Sequence, residues 1–257
     1  MKTLIFDIET GARPDTELAD IMPEFAAPKN YKDGDKISSY IAAERAAWLE
    51  KAALSAVTGR IVAIGCRQDG CSAILGDDGE PNQIKAFWHI LEDAVREKRA
   101  IVGWNINAFD LPFLARRSWR HGIEVPSGLF TGRGYPHPDL FVDLVLEWQC
   151  GDKQERISLG NIAKFLGIGE KNGDGKDFSK LWATERSLAV QYLENDLLLT
   201  AKLMERLLGI SEIHAAPNSN LAGTAIAAVQ GTAPAPAPAQ TPAPAPTTAE
   251  TAAQSYY

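Results

Sequence analysis

The stretch Thr3-Leu4-Ile5-Phe6-Asp7-Ile8-Glu9-Thr10 decides how the rest of the chain is read. Thr3 to Ile8 is a nearly unbroken apolar run, the pattern of a strand buried on both faces. Side chains alternate along a strand, so Leu4, Phe6 and Ile8 share one face while Thr3, Ile5, Asp7 and Glu9 share the other. Two acids thus end an otherwise buried strand, two residues apart on one face. Acids at a strand end are more often solvated loop residues, so this pair is a weak signal until other acids turn up in equally unfavourable places.

Beyond this strand the periodicities alternate. Residues 34–56 carry a helical pattern, with Ile37, Ile41, Trp48 and Leu49 on one face. Ile61–Cys66 and Cys71–Leu75, separated by Asp69-Gly70, read as a hairpin. Residues 84–98 form an amphipathic helix and 101–104 a short buried strand. Pro112 suits the first turn of a helix that runs to about Arg120. Residues 140–144 read as a strand, and helices follow at 158–166 and 185–209. This order predicts an α/β fold, a mixed central β-sheet flanked by helices in three layers.

Two further acids stand out. Asp110 lies between the strand at 101–104 and the helix that follows, where capping that helix is the ordinary job for an aspartate. Asp196 falls on the stripe Leu188, Tyr192, Asp196, Leu199, Leu203 of the last helix, one turn beyond Tyr192. An acid on an apolar stripe is costly to bury unless it is paired or bound to metal. A Tyr192–Asp196 hydrogen bond at the core edge would also account for the pair.

Taken in order, Phe6-Asp7-Ile8-Glu9-Thr10, then Asn105-x3-Phe109-Asp110, then Tyr192-x3-Asp196 resemble the three exonuclease motifs of the DEDD superfamily. Tyr rather than His in the third motif marks the tyrosine type, and the nearest likeness is to the 3′–5′ proofreading domain of family B DNA polymerases. Phe141-Val142-Asp143-Leu144 and Ser158–Gly167 resemble the segments that bridge the second and third motifs. The likeness covers roughly residues 1–208 and implies a ribonuclease H-like fold. The stretch from Gly11 to Thr58 is longer than the usual link and is expected to pack outside the sheet.

The resemblance implies a metal-dependent 3′–5′ exonuclease that releases nucleoside monophosphates from single-stranded or frayed DNA 3′ ends, in replication or repair. Asp7, Glu9, Asp110 and Asp196 would hold two ions, with Asp7 bridging them, and Tyr192 would orient the attacking water. An all-oxygen donor set selects Mg²⁺ or Mn²⁺ over zinc. Thr10, Asn105, Phe109 and Arg116 are the candidate substrate contacts. Arg117, Arg120, His121 and Arg133 are further phosphate candidates, against an ordinary role as solvated charges. Phe113 and Trp104 could wedge against a terminal base, although core packing is the ordinary role for both. The rivals are an RNA-trimming exonuclease of the same superfamily, a non-catalytic binding or tethering module, and an endonuclease or recombinase with the same fold. The last of these would explain the acids but not Tyr-x3-Asp.

Composition bounds these readings. The chain has 257 residues, 45% of them hydrophobic and 23% charged, which fits a globular domain. Its formal charge of −7 argues against a broad basic nucleic-acid surface, but an enzyme that grips only a terminus needs few phosphate contacts. No apolar run approaches the ~18 residues of a membrane span. Cys66, Cys71 and Cys150 form no CxxC pair and read as thiols in a reducing cytoplasm. From Ser211 onward there is no Lys or Arg, and the Ala-Pro alternation of residues 233–238 and again of 242–246 favours an extended spacer. Residues 1–210 are therefore read as one domain and 211–257 as a disordered tail, which could tether the domain to a separate polymerase or replication protein.

Overall fold

The computed structural model describes residues 2–130, 136–137, 139–155 and 157–212. The first strand, β1, spans Thr3–Ala12, so it outlasts the apolar run by four residues. Thr10, Gly11 and Ala12 continue antiparallel to Ile61, Arg60 and Gly59 of β2 (Gly59–Gln68). The register slips between Glu9 and Thr10, leaving Val62 as the extra residue of a bulge directly beside Glu9. Between these strands come α1 (Asp15–Leu18) and α2 (Gly34–Ala53). Asp33 caps α2 by accepting from the backbone N–H groups of Asp35 and Lys36.

Asp69 and Gly70, with φ of 51° and 83°, make the tight turn from β2 into β3 (Cys71–Leu75). Two successive positive φ values match the twist of a two-residue hairpin. The chain continues through α3 (Glu80–Arg96), β4 (Ala100–Gly103), α4 (Asp110–Arg120), β5 (Phe141–Asp143) and α5 (Leu144–Gln149). Among the described residues the last elements are α6 (Leu159–Leu166), a single 3₁₀ turn, α7 (Phe178–Thr184) and α8 (Arg186–Leu208). The sheet order is β3-β2-β1-β4-β5, with β1, β2 and β3 antiparallel and β1, β4 and β5 parallel.

The alternation along β1 separates two cores. Leu4, Phe6 and Ile8 pack against Ile84, Phe87 and Leu91 of α3 and Leu111 and Leu114 of α4. The Phe6 and Phe87 ring centroids are 4.9 Å apart. Truncating a fully buried Phe of this kind costs about 3–5 kcal/mol. On the other face Ile5 and Val102 join Ile162, Leu197 and Leu203 of α6 and α8. The result is the mixed, three-layer α/β sandwich expected from the periodicities.

One glycine sets how close α8 can come. Gly65 pairs with Asp7 across the sheet, and a Cβ there would lie 2.9 Å from Leu193 Cγ and 3.0 Å from Leu197 Cδ1. With hydrogen in that place, α8 settles onto β2 and brings Tyr192 and Asp196 alongside the acids of β1.

The 11–58 segment packs against β1 and β2, and no residue of it lines the groove where the acids meet. At the other end, Glu212 forms a 2.9 Å ion pair with Arg67, so the packed chain reaches two residues beyond Ile210. Residues 213–257, where most of the expected tail falls, lie outside the described residues. Among the described residues no helix is long and apolar enough to cross a membrane.

Candidate active site

The carboxylates of Asp7, Glu9 and Asp196 converge where β1 meets α8, each offering an oxygen within 4.8 Å of the others. Asp110 joins them by a different route. It is the first residue of α4, Phe109 holds the capping position, and so Asp110 does not take the capping role open to it from sequence. Its Oδ1 instead accepts from the backbone N–H of Ile8 at 2.9 Å. Ile8 lies between Asp7 and Glu9, so this bond pins the start of α4 to the strand that carries both.

These acids sit where charge is costly. Glu9 is 8% exposed, and Asp110 and Asp196 are each 2% exposed. Burial first, then the Asp196 charge, pushes Asp7 up to about 7. Burial and then Asp7 hold Glu9 and Asp110 well above the usual carboxylate range. Burial also raises Asp196, opposed by Lys171. Such a group is short of positive charge.

Part of the deficit is met by Lys171, in the loop before α7. Its Nζ lies 2.6 Å from Asp196 Oδ2 and 5.0 Å from the centroid of the Tyr192 ring. Burial works against its charge, yet Asp196, Asp7 and Glu9 outweigh burial and raise it above the ordinary lysine value. The same loop lies flat on the phenol. A Cβ at Gly173 would come 2.9 Å from Tyr192 Cδ2, and one at Gly175 would come 3.4 Å from Tyr192 Oη.

Tyr192 is 2% exposed, and neither its Oη nor Asp196 Oδ1 has a hydrogen-bond partner among the described residues. The Tyr192 hydroxyl and the Asp196 carboxylate are close enough to interact, which favours the neutral phenol and the ionised carboxylate, without reaching the geometry of an ordinary hydrogen bond. Burial, followed by the Glu9 charge, raises the phenol pKa above its usual value, so it donates rather than ionises. A buried acceptor oxygen on Asp196 without a donor, oxygen-only chemistry and excess negative charge together fit a divalent cation.

A fifth acid, Asp143, differs from the other four. Its Oδ1 accepts from Asn105 N at 2.8 Å and Val145 N at 3.1 Å, and its Oδ2 from Asn107 N at 2.9 Å. With both oxygens engaged by backbone donors it anchors the loop between β4 and α4, where Asn105 holds the left-handed φ of 64°. The four catalytic candidates and Asp143 face one groove of about 1000 Å³, walled by Trp104, Asn105, Phe109, Leu146 and Ile157.

Asn105 and Phe109 thus lie where the sequence places substrate contacts. Thr10, past the bulge, is half-buried and is not among the groove-lining residues. Arg116 is exposed on α4, away from the groove. Arg117 and His121 are not free for phosphate. The Arg117 Nη2 lies 2.6 Å from Glu80 Oε2, His121 Nε2 lies 2.8 Å from the same oxygen, and Arg117 is 3% exposed. Phe113, 2% exposed, belongs to the core and cannot act as a wedge. Arg133 lies outside the described residues. Sequence reasoning missed Lys171 outright and cited Asp143 only as part of a bridging segment.

A family model described as the RNase H superfamily matches residues 49–208. An uncharacterized protein of the archaeon Methanocaldococcus jannaschii is 32% identical over 139 residues, covering 52% of this chain and 73% of its own length. Among solved structures, the family B DNA polymerase of the hyperthermophilic archaeon Pyrobaculum calidifontis superposes with a TM-score of 0.54 at 19% identity. That match takes in 81% of this chain but only 24% of the polymerase, a likeness of fold.

Proposed function

This chain belongs to the RNase H superfamily, and on that premise we propose that it is a divalent-metal-dependent 3′–5′ exonuclease acting on single-stranded or frayed DNA ends. The observation that carries the reading is the convergence of Asp7, Glu9 and Asp196, with Asp110 tied to the same strand, at the floor of a groove. RNase H-like nucleases generally use divalent metals, and these four carboxylates would hold them, here Mg²⁺ or Mn²⁺. When bound, such ions polarise a phosphodiester and make water a competent nucleophile at neutral pH.

The chain's own residues do the remaining work. The Tyr192 hydroxyl, close to Glu9 and Asp196, orients the attacking water. Its raised pKa keeps the phenol protonated, so no phenolate is available as a general base and its part is positioning. Lys171 favours the ionised form of Asp196 and holds the carboxylate in place. Asn105 and Phe109 flank the nucleic-acid end, the latter packed at a tilt with its ring centroid 5.5 Å from that of Phe113. The half-buried Trp104 offers an aromatic face to a terminal base.

The test uses 5′-labelled DNA and RNA oligonucleotides with Mg²⁺, Mn²⁺ or EDTA. The expected result is a ladder of shortened 5′-labelled DNA products that needs metal. Internal cuts would favour an endonuclease, RNA-only shortening an RNA-trimming enzyme, and no products at all a binding module.

A further inference from the structure

Helix α4 begins at Asp110 in the groove, and its three arginines are not equivalent. Arg117 turns inward to Glu80, with a further bond from its Nη1 to Ala56 O at 3.1 Å. Arg116 and Arg120 are exposed, and among the described residues neither guanidinium has an ion-pair or hydrogen-bond partner. Between them stands Trp119, 69% exposed, where four of the other tryptophans are half-buried and Trp88 is buried. Positions 116, 119 and 120 are three and four apart, so the three side chains share one helix face.

The chemistry of that face is specific. Two unengaged guanidiniums and an exposed indole on a chain of net charge −7 make a local positive site with a stacking surface. At ~1.5 Å per residue, Arg116 lies ~9 Å and Arg120 ~15 Å along the axis from Asp110. Pro112, Arg116 and Arg120 recur at four-residue steps, a row leading away from the end of α4 that lines the groove. A protein partner fits poorly, because three residues fall far short of the ~20–30 a side in a standard protein interface.

We propose that Arg116, Trp119 and Arg120 form a second contact for single-stranded nucleic acid, gripping the strand upstream of the 3′ end held in the groove. The guanidiniums take successive phosphates and the indole stacks a base between them. The proposal rests on the exonuclease reading for the direction of the strand. It makes affinity depend on substrate length, since a strand a few nucleotides long ends before it reaches the helix face.

Fluorescence anisotropy with 5′-fluorescein-labelled dT20 and dT4, in EDTA, tests it on the full chain, on Arg116→Gln/Arg120→Gln and on Trp119→Ala. The double variant is expected to bind dT20 at least ~10-fold more weakly at low salt. Its logarithmic salt dependence should be shallower by roughly 1.4, since each of two phosphates on a single strand accounts for ~0.7. Trp119→Ala should weaken dT20 by ~5–150-fold, the span of one base–aromatic stack, with an unchanged salt slope. Binding of dT4 should stay as in the parent for all variants. Equal dT20 binding in parent and variants, an equal weakening on dT4, or no binding of dT20 by the parent would each overturn the proposal. No cleavage is needed in EDTA. A chain that binds dT20 through this face yet cuts nothing keeps the surface and loses the exonuclease reading. One that cuts while its variants bind equally well does the reverse.

Discussion

The ammonium of Lys171 lies 2.6 Å from Asp196 Oδ2, a cation already in place among acids that otherwise repel one another. Removing one partner of such a pair leaves a buried charge uncompensated, at a cost of about 3–5 kcal/mol when the pair is fully buried and less here, where Lys171 keeps some solvent contact. Lys171→Met is therefore expected to lower the unfolding midpoint in EDTA by several degrees. Saturating Mg²⁺ should recover most of that decrease. Thermal unfolding with and without Mg²⁺ measures both.

Metal-free stability should also depend on pH in an unusual direction. Asp7 in the fold is pushed up to about 7, against an ordinary value of 3.8 in the unfolded chain. Between those values the folded state holds a proton that the unfolded state has released, so stability falls as pH rises. In EDTA the unfolding midpoint is expected to drop from pH 5 to pH 8, and saturating Mg²⁺ should flatten or reverse the trend. A midpoint that climbs with pH in EDTA would contradict the mutual repulsion of these acids.

Asp7→Asn and Asp110→Ala should both abolish cleavage and yet differ in stability. Asp7→Asn relieves repulsion and is expected to leave the metal-free protein as stable or more so. Asp110→Ala also relieves repulsion but strands the buried N–H of Ile8, which costs about 1–3 kcal/mol. Denaturant unfolding in EDTA should rank Asp7→Asn above Asp110→Ala. The reverse order would mean that the Ile8–Asp110 bond contributes little.

Tyr192→Phe keeps the ring that the loop glycines cover and removes only the hydroxyl. If that hydroxyl orients the nucleophile, the single-turnover rate should fall by about 10–10³-fold, with the Mg²⁺ dependence largely retained. Recovery of the rate at high Mg²⁺ would instead make it a support for the metal ligands.

The sequence was informative wherever the deciding interaction is local. The alternation in β1 placed Ile5 and Phe6 in opposite cores, and Asp69-Gly70 named its own turn. Asp7, Glu9 and the Tyr192–Asp196 pair were legible because strand and helix periods fix which face each occupies. Where partners are distant in the chain, the reading failed. Arg117 looked available for phosphate, because nothing local reveals Glu80 at a separation of 37 residues. Lys171 sits in Glu170-Lys171-Asn172-Gly173-Asp174-Gly175, a string with every mark of a solvated loop. Its two glycines were the available clue, since they allow the backbone to lie against Tyr192. The helix at Phe178–Thr184 was missed because seven residues give too few turns to show a period.

The most direct test of the central claim, that the carboxylates of β1, α4 and α8 form a divalent-metal centre, is calorimetric titration of Mn²⁺ into the metal-free protein and its Asp7→Asn variant. The expected result is two bound ions per chain in the parent and the absence of at least one in Asp7→Asn. No binding by the parent, or identical isotherms for the two proteins, would contradict it.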